Sequence, residues 1–310
     1  MSTRTDKIDA LAEQTARSDS AGVSVAAAAW RRLRRNPVFL FGAAIVVAFV
    51  VLALLSPWLA QHDPTERMLG EQVSRARDQI PPPQEGHPLG GDQVGRDLLS
   101  RLLIGSQQTL MVGVLATLIG FTCGLVLGTL AGAIGGWVDT VVMRAVDVML
   151  SIPGLLLAVS IGALFASPTQ FTVILAVAMV QVPIFARLLR GSMLAQRHSD
   201  HVLAARALGV KQRAIVFRHM LPNSLGPVIV QSTLVLALAI IDAAALSFLG
   251  LGNPDDRIPE WGAMLGQAQN VIDSHPHLAY WPAGCIIVVA LGFTLMGESL
   301  REALDPKSRR

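Results

Sequence analysis

Long apolar runs with few charged residues recur along the chain. The first extends from Val38 to Leu55 and can be completed by Ser56 to Ala60. Further runs cover residues 107–137, 148–166, 170–187, 225–250 and 279–297. A bilayer core of about 30 Å requires roughly 20 apolar residues in a helix, so each run is long enough to span or nearly span it. The pattern predicts an all-α polytopic membrane protein with about six transmembrane helices.

The segments beside these runs suggest how the chain is divided. Residues 1–29 are polar and rich in Ala, which favours a disordered cytoplasmic tail. Residues 30–106 combine the first transmembrane helix with a polar extracytoplasmic segment. Residues 107–305 form the core domain, which includes a long loop at 187–222, and residues 306–310 form a short cytoplasmic tail.

The distribution of charge between the runs predicts the orientation in the membrane. Basic residues concentrate in cytoplasmic loops. The 187–222 loop holds one acid, Asp200, and these basic residues: Arg187, Arg190, Arg197, Arg206, Lys211, Arg213 and Arg218. Residues 252–278 instead hold four acids and one Arg. We therefore expect a multi-pass protein of the cell membrane, with both termini and the 187–222 loop in the cytoplasm and residues 61–106 and 252–278 outside.

Composition agrees with a membrane location. The chain is 52% hydrophobic and 15% charged, whereas about a quarter of the residues in a soluble domain are charged. The net charge of +3 fits basic cytoplasmic loops, so no nucleic-acid partner is expected. Cys123 and Cys285 each lie inside an apolar run and form no disulfide or metal-binding pattern.

Small residues recur at every fourth position of the second predicted span. They are Ala116, Gly120, Gly124, Gly128, Gly132 and Gly136. Such a ridge lets another helix approach closely in lipid, where van der Waals packing replaces the hydrophobic drive. We predict helix packing along this ridge, either within the chain or against a second pore subunit or a moving helix.

Asp242 is the acidic residue inside an otherwise apolar span, between two isoleucines and three alanines. An acid at membrane depth is costly and usually faces a cavity or a partner. Two interpretations remain open. Asp242 is either a residue of a translocation path or a structural partner of a backbone group or helix end.

The 187–222 loop is predicted to contain a compact helical element. Ser199 to Leu208 form a short helix that Gly209 ends, and a second helical piece runs from Lys211 to Met220. Pro222 then starts the next turn. Loops without a task are usually shorter. A rigid helical element in a cytoplasmic loop is what docking of a soluble partner requires.

This loop resembles the EAA loop of ABC importer permeases. The matching pattern is Ala204-Ala205-x3-Gly209-x9-His219-x-Leu221-Pro222. Two positions depart from the family pattern, since Leu203 replaces Glu and His219 replaces an aliphatic residue. The resemblance implies an ATPase-docking coupling helix. Its expected docking residues are Val202, Leu203, Ala204, Ala205, Leu208, Gly209, Leu221 and Pro222.

Further motifs are similar to the C-type permease of dipeptide/oligopeptide importers. These are Asn36-Pro37, the stretch from Leu89 to Arg101, and Leu246-Ser247-Phe248-Leu249-Gly250-Leu251-Gly252 followed by Pro259-Glu260-Trp261-Gly262. The resemblance covers roughly residues 30–305 and implies the type I permease fold. It also implies three kinds of partner beyond membrane lipid: a homologous B-type permease, two ABC ATPases, and an extracytoplasmic peptide-binding protein.

The chain lacks the motifs of an enzyme. It has no G-x4-GK[ST] phosphate loop, so ATP and Mg²⁺ are expected on the partner ATPases, with no cofactor bound directly and no catalytic residue. His198 and His201 beside Asp200 indicate a solvated helix end, and no metal site is predicted. The expected function is a pore subunit of an importer of short peptides.

Other functions stay open at this point. The same motifs fit an importer of nickel, glutathione or another small solute. A secondary transporter would need an internal repeat, which is not clear here. A membrane-embedded enzyme would need paired ionisable residues at membrane depth, where only Asp242 qualifies.

Overall fold

The computed structural model describes residues 25–74 and 79–304. The predicted tail 306–310 and residues 1–24 of the predicted tail 1–29 lie outside the described residues. The helices are α1 (Val25–Leu33), α2 (Pro37–Leu59), α3 (Leu98–Ile134), α4 (Gly136–Ser151), α5 (Gly154–Gly162), α6 (Gln170–Gln196), α7 (Asp200–Ala207), α8 (Gln212–Phe248), α9 (Trp261–Ala268) and α10 (His277–Leu304). Short 3₁₀ turns lie at Gly70–Gln72 and Gln269–Val271.

Capping side chains explain where several long helices begin. Asn36 Oδ1 accepts the amide of Val38 at 2.9 Å, and Pro37 occupies the first turn of α2, where no amide is needed. Asp97 Oδ2 accepts the amide of Ser100 at 2.7 Å at the start of α3. Thr169 forms a capping box at the start of α6. Polar capping residues thus determine where each of these three helices begins.

Five of these helices are long and apolar enough to cross a membrane: α2, α3, α6, α8 and α10. The prediction of about six spans is confirmed by helix length and composition, because α4 and α5, counted together as one bent pair, are also long and apolar enough. The single third span predicted at 148–166 is wrong, because α4 and α5 meet at an angle of 96°. Pro153 has no amide to donate and forces Ile152 into an extended conformation, which breaks the helix.

The second span begins earlier than its apolar pattern suggests. α3 starts at Leu98, whereas the uncharged run starts at residue 107. The additional turns contain Arg101, which is only 1% exposed because ion pairs and carbonyls surround it. α6 likewise continues past residue 187 to Gln196, through Arg187 and Arg190.

Glycines allow α3 and α6 to pack in close contact. A Cβ built on Gly120 would lie 2.8 Å from Gln181 Cβ, and one on Gly132 would lie 2.9 Å from Met193 Cβ. Gly124 and Gly128 meet α6 in the same way. These four glycines therefore pack against α6 within the chain.

The remaining long helices surround this pair. α10 packs against α2 and α8, and a core cluster including Phe49, Trp261 and Phe293 joins them to α9. Large apolar side chains such as Phe41, Leu54 and Trp58 point outward from α2. An apolar outer face of this kind suits contact with lipid.

Candidate docking and translocation site

The helix α7 lies in the 187–222 loop and ends in a defined turn. Gly209 has a φ of +73°, a conformation that favours glycine. Its amide donates to Arg206 O at 2.9 Å, and the amide of Val210 donates to Ala205 O at 3.1 Å. These two bonds form a Schellman motif. The predicted break at Gly209 is confirmed, and the helix spans Asp200–Ala207 within the predicted 199–208.

One face of α7 is buried in the protein. Val202 is 0% exposed and Ala205 is 6% exposed. They join a cluster with Phe185, Leu189 and Met193 of α6 and with the start of α8. Val202 and Ala205 therefore hold α7 against the membrane helices and offer no surface to a partner.

The other face of α7 is open. Leu203 is 47% exposed and Leu208 is 83% exposed, and Ala204 and Gly209 are also exposed. Exposed leucines at the end of a rigidly held helix form an apolar contact surface. Of the predicted docking residues in α7 and its terminal turn, these four are the ones that a partner can reach. The docking role itself stays a prediction.

The second helical piece of the loop forms the first turns of α8. A π-helical turn covers Ile215–Met220 and is followed by Leu221, which is half-buried, and Pro222, which is exposed. Asn223 links this turn to α7, because its Nδ2 donates to His219 O at 2.7 Å and lies 3.3 Å from His201 Nε2. Sequence reasoning did not identify Asn223, although it directly follows the Leu-Pro pair.

Ion pairs join α6 to the neighbouring helix α4. Arg190 donates two hydrogen bonds to Asp139, at 2.6 and 2.8 Å, and Arg187 pairs with Asp147. Arg197 Nη2 donates to Ala133 O at 3.1 Å, at the last turn of α3. These contacts fix the end of α6, where the 187–222 loop begins, to α3 and α4. Movement of α7 would therefore be transmitted to α3, α4 and α6.

Asp242 is half-buried in α8, between the exposed Ile241 and the buried Ala243. Within residues 25–74 and 79–304, no hydrogen bond or ion pair reaches its carboxylate. Among the described residues no backbone group bonds to this carboxylate, which leaves the helix-end form of the structural alternative. Its role in a translocation path stays a prediction.

A buried charge cluster lies at the start of α3. Arg96 is 3% exposed, and its Nε pairs with Asp92 Oδ2 at 2.7 Å. Arg96 and Arg101 both donate to the carbonyl oxygen of Asp256, at 2.7 and 3.0 Å, and Arg101 also donates to Pro64 O at 2.9 Å. The cluster fastens the 61–97 segment and the 252–260 loop to α3. Sequence reasoning used the Leu89–Arg101 motif for resemblance only, and the ion pairs explain why the motif is charged.

The Pro259-Glu260-Trp261-Gly262 motif forms the start of α9. Trp261 Nε1 donates to Leu102 O at 3.0 Å, and a Cβ on Gly105 would lie 2.9 Å from the Trp261 ring. Burial raises the pKa of Glu260 to about 7, while hydrogen bonds from Ser247 and the amides of Gly262 and Ala263 limit the rise. The contacts of Trp261 with Leu102 and Gly105 thus hold the loop between α8 and α9 against α3.

Two family models match the chain. Residues 124–310 match the binding-protein-dependent transport system inner membrane component, and residues 24–82 match the N-terminal transmembrane domain of oligopeptide transport permease C. The chain therefore belongs to the permeases of binding-protein-dependent ABC importers, as the EAA-like loop predicted.

Similar proteins come from several bacteria. The chain is 38% identical to the dipeptide transport system permease protein DppC of Alkalihalophilus pseudofirmus, over 91% of this chain and 90% of that protein. It is 39% identical to the probable D,D-dipeptide transport system permease protein DdpC of Escherichia coli K12, over 89% and 90%. It is 37% identical to the glutathione transport system permease protein GsiD of Pectobacterium atrosepticum, over 90% of each.

Solved structures share the fold. The MetNI methionine ABC transporter in an inward-facing conformation aligns with a TM-score of 0.54 at 19% identity, over 67% of this chain and 98% of that chain. An amino acid ABC transporter aligns with a TM-score of 0.51 at 18% identity, over 64% and 92%. The predicted type I permease fold is confirmed by these likenesses.

Proposed function

We propose that this chain forms one half of the membrane pore of an ATP-driven importer of short peptides. A homologous B-type permease supplies the other half, two ABC ATPases bind ATP and Mg²⁺, and an extracytoplasmic binding protein delivers the peptide. Both termini and α7 lie in the cytoplasm. One observation carries the proposal. α7 exposes Leu203 and Leu208 while its opposite face is buried, and it lies in a loop with the spacing of an EAA motif.

The coupling role follows from how α7 is attached. The buried side chains of Val202 and Ala205 fix α7 to α6 and α8, so a force on the exposed face moves the helices as a body. Leu203 and Leu208 fit an apolar groove on an ATPase. Closure of the two ATPases then shifts α7 and switches the pore between its inward-facing and outward-facing states, largely as rigid-body motion.

The departures from the EAA pattern fit this arrangement. Leu203 occupies the place of the family Glu and is 47% exposed, so an apolar contact replaces a polar one at this position. His219 contributes its carbonyl to Asn223, and its side chain is not needed for that bond. Docking through Leu203 and Leu208 is therefore compatible with both departures.

Co-purification tests the assembly. The tagged chain is extracted from its native membranes in mild detergent, and the co-purifying chains are identified by mass spectrometry. Two ATPases with phosphate loops and a homologous permease support the proposal. A chain that purifies alone or only with itself refutes it and favours a secondary transporter.

Substitution of Gly209 tests the coupling. Gly209 has a positive φ and open space around its Cα, so Gly209→Val strains the backbone of the turn without a clash. We expect peptide uptake to fall while the complex still hydrolyses ATP. Gly191→Val is the control, because Gly191 also has open space but an ordinary helical φ. Coupled uptake at the wild-type level in Gly209→Val would contradict the coupling role.

Glutathione is a second candidate substrate, favoured by the 37% identity to a glutathione permease. Glutathione is itself a short peptide, so both candidates share a charged amine, carboxylates and amide bonds. Competition between labelled dipeptide and unlabelled glutathione in membrane vesicles distinguishes them. Asp242→Asn should lower uptake if Asp242 contacts the amine of either substrate.

A further inference from the structure

A group of two histidines and one aspartate lies at the start of α3. Each of His62, His87 and Asp97 offers one nitrogen or oxygen ligand atom, and these atoms all lie within 4.8 Å of one another. We propose that this group binds a divalent transition-metal ion of the zinc class, which clips the 61–97 segment onto α3. Two imidazoles and one carboxylate are a ligand set that Zn²⁺ uses, with a water in the fourth position.

The separations of the ligand atoms must change by at most about 1.5 Å to reach a tetrahedral arrangement. A tetrahedral ion with bonds of about 2.0 Å has ligand atoms about 3.3 Å apart. His87 Nδ1 and Asp97 Oδ1 are already 2.9 Å apart. The ring of His62 stacks on that of His87 with centroids 4.3 Å apart, and its Nε2 lies 2.8 Å from Gly86 O. The His62 ring must therefore turn before one of its nitrogens faces an ion shared with His87 and Asp97.

The backbone around the group is fixed before any ion binds. His87 lies in a turn closed by paired bonds with Gln84, and its carbonyl accepts the amide of Gly90. Asp97 caps α3, and Ser100 Oγ accepts the amide of His62 at 3.3 Å. The three ligands thus come from parts of the chain that already contact one another.

The burial of Asp97 indicates a need for positive charge. Asp97 is 1% exposed, and a buried carboxylate requires compensation. Among the described residues its ion-pair partner is His87, which is charged only when protonated. A bound metal ion would provide this charge without a proton on either imidazole, as metal binding requires.

The group is remote from the proposed docking helix. α3 has 37 residues, and its last turn contacts Arg197 beside α7. A helix of that length measures about 55 Å. The buried pair of Arg96 and Asp92 lies near the metal group in the same segment. The ion therefore stabilises the end of the molecule opposite α7 and takes no part in ATPase docking.

Zinc retention by the purified full-length chain tests the proposal. The chain carries a tag without histidines and the substitution Cys123→Ser, because the exposed thiol of Cys123 is itself a zinc ligand. After equilibration with Zn²⁺ and gel filtration, zinc per chain is measured by mass spectrometry. The variants are His62→Gln, His87→Gln and Asp97→Asn, in which Asn keeps the helix cap. His198→Gln, at an exposed histidine, is the matched control.

We expect the parent chain and His198→Gln to retain about one zinc ion, and the three ligand variants to bind it at least about tenfold more weakly. Co²⁺ in the site should give the intense visible absorption of a tetrahedral centre. Zinc should raise the melting temperature of the parent and not of His87→Gln. Equal zinc retention by the parent and all three ligand variants, or none by the parent, overturns the proposal and leaves a hydrogen-bonded cluster.

Discussion

Replacement of Gly128 by Ala should destabilise the protein through the contact between α3 and α6. The added Cβ would lie 2.8 Å from Ala186 O and 2.9 Å from Leu189 Cβ. Neither atom is the end of a flexible side chain, so α6 would have to retreat by roughly 0.9 Å to restore an ordinary carbon–carbon distance of about 3.8 Å. Overpacking of this kind costs about 1–3 kcal/mol.

A matched control separates packing from helix propensity. Gly191→Ala lies in α6 with no atom within 4 Å of its added Cβ. Both substitutions gain up to about 1 kcal/mol from the higher helix propensity of Ala, so that gain cancels in their comparison. The difference between the two variants reports the clash alone.

Thermal unfolding of the purified chain in detergent measures the effect. A loss of about 1–3 kcal/mol corresponds to a melting temperature roughly 1.5–5 °C lower for Gly128→Ala than for Gly191→Ala. Gly132→Ala should lie between them, since part of its contact is with the movable Met193 sulfur, 3.2 Å away. Equal melting temperatures for Gly128→Ala and Gly191→Ala would refute close packing of α3 on α6 at this ridge.

Three further predictions follow. Asp92→Asn removes the nearer and more buried of the two carboxylate partners of Arg96, and should cost about 3–5 kcal/mol in unfolding free energy. Asp255→Asn, at an exposed pair with Arg257, should cause no measurable change; equal effects would contradict the stabilising role of the buried charge cluster. The raised pKa of Glu260 means that the folded protein holds a proton that the unfolded chain releases between about pH 4.5 and 7, so stability should fall as pH rises through that window. Glu260→Gln should flatten the fall in melting temperature, and an unchanged pH profile would show that Glu260 is not the group responsible. Leu208→Asp should abolish co-purification of the ATPases without lowering the melting temperature of the isolated chain, because Leu208 is 83% exposed; a lost complex together with an unstable chain would indicate misfolding instead.

Apolar patterning predicted most of the fold because lipid imposes a simple length rule. The spans now seen as α2, α6, α8 and α10 were each located, with ends displaced where charged residues continue the helix. The start of α3 was predicted too late in the sequence, because a run defined by the absence of charge cannot include the buried Arg101. Pro153 marked the break between α4 and α5, yet the 96° bend depends on tertiary packing that no local pattern contains.

The residue spacing of the EAA-like motif identified the 187–222 loop as the predicted docking loop. Which of its residues are buried and which are exposed could be read only from the fold. The motif grouped Val202 and Ala205 with Leu203 and Leu208, although the first pair is buried and the second exposed. Which side of the short helix α7 faces inward is set by its packing against α6 and the start of α8, which the motif does not contain. The group of His62, His87 and Asp97 was also missed, because its members lie up to 35 positions apart in the sequence and only the fold brings them together.

Site-specific cross-linking tests the central claim, that α7 docks on an ATPase. Leu208→Cys and Leu164→Cys are introduced separately into a chain whose own cysteines are replaced, and each is treated with a thiol cross-linker in the assembled complex. Leu164, 82% exposed, follows α5 and lies outside the 187–222 loop, so it serves as the control. The account predicts cross-links to an ATPase from position 208 and none from position 164. Cross-links from both positions, or none from position 208 in a complex that contains ATPases, would contradict it.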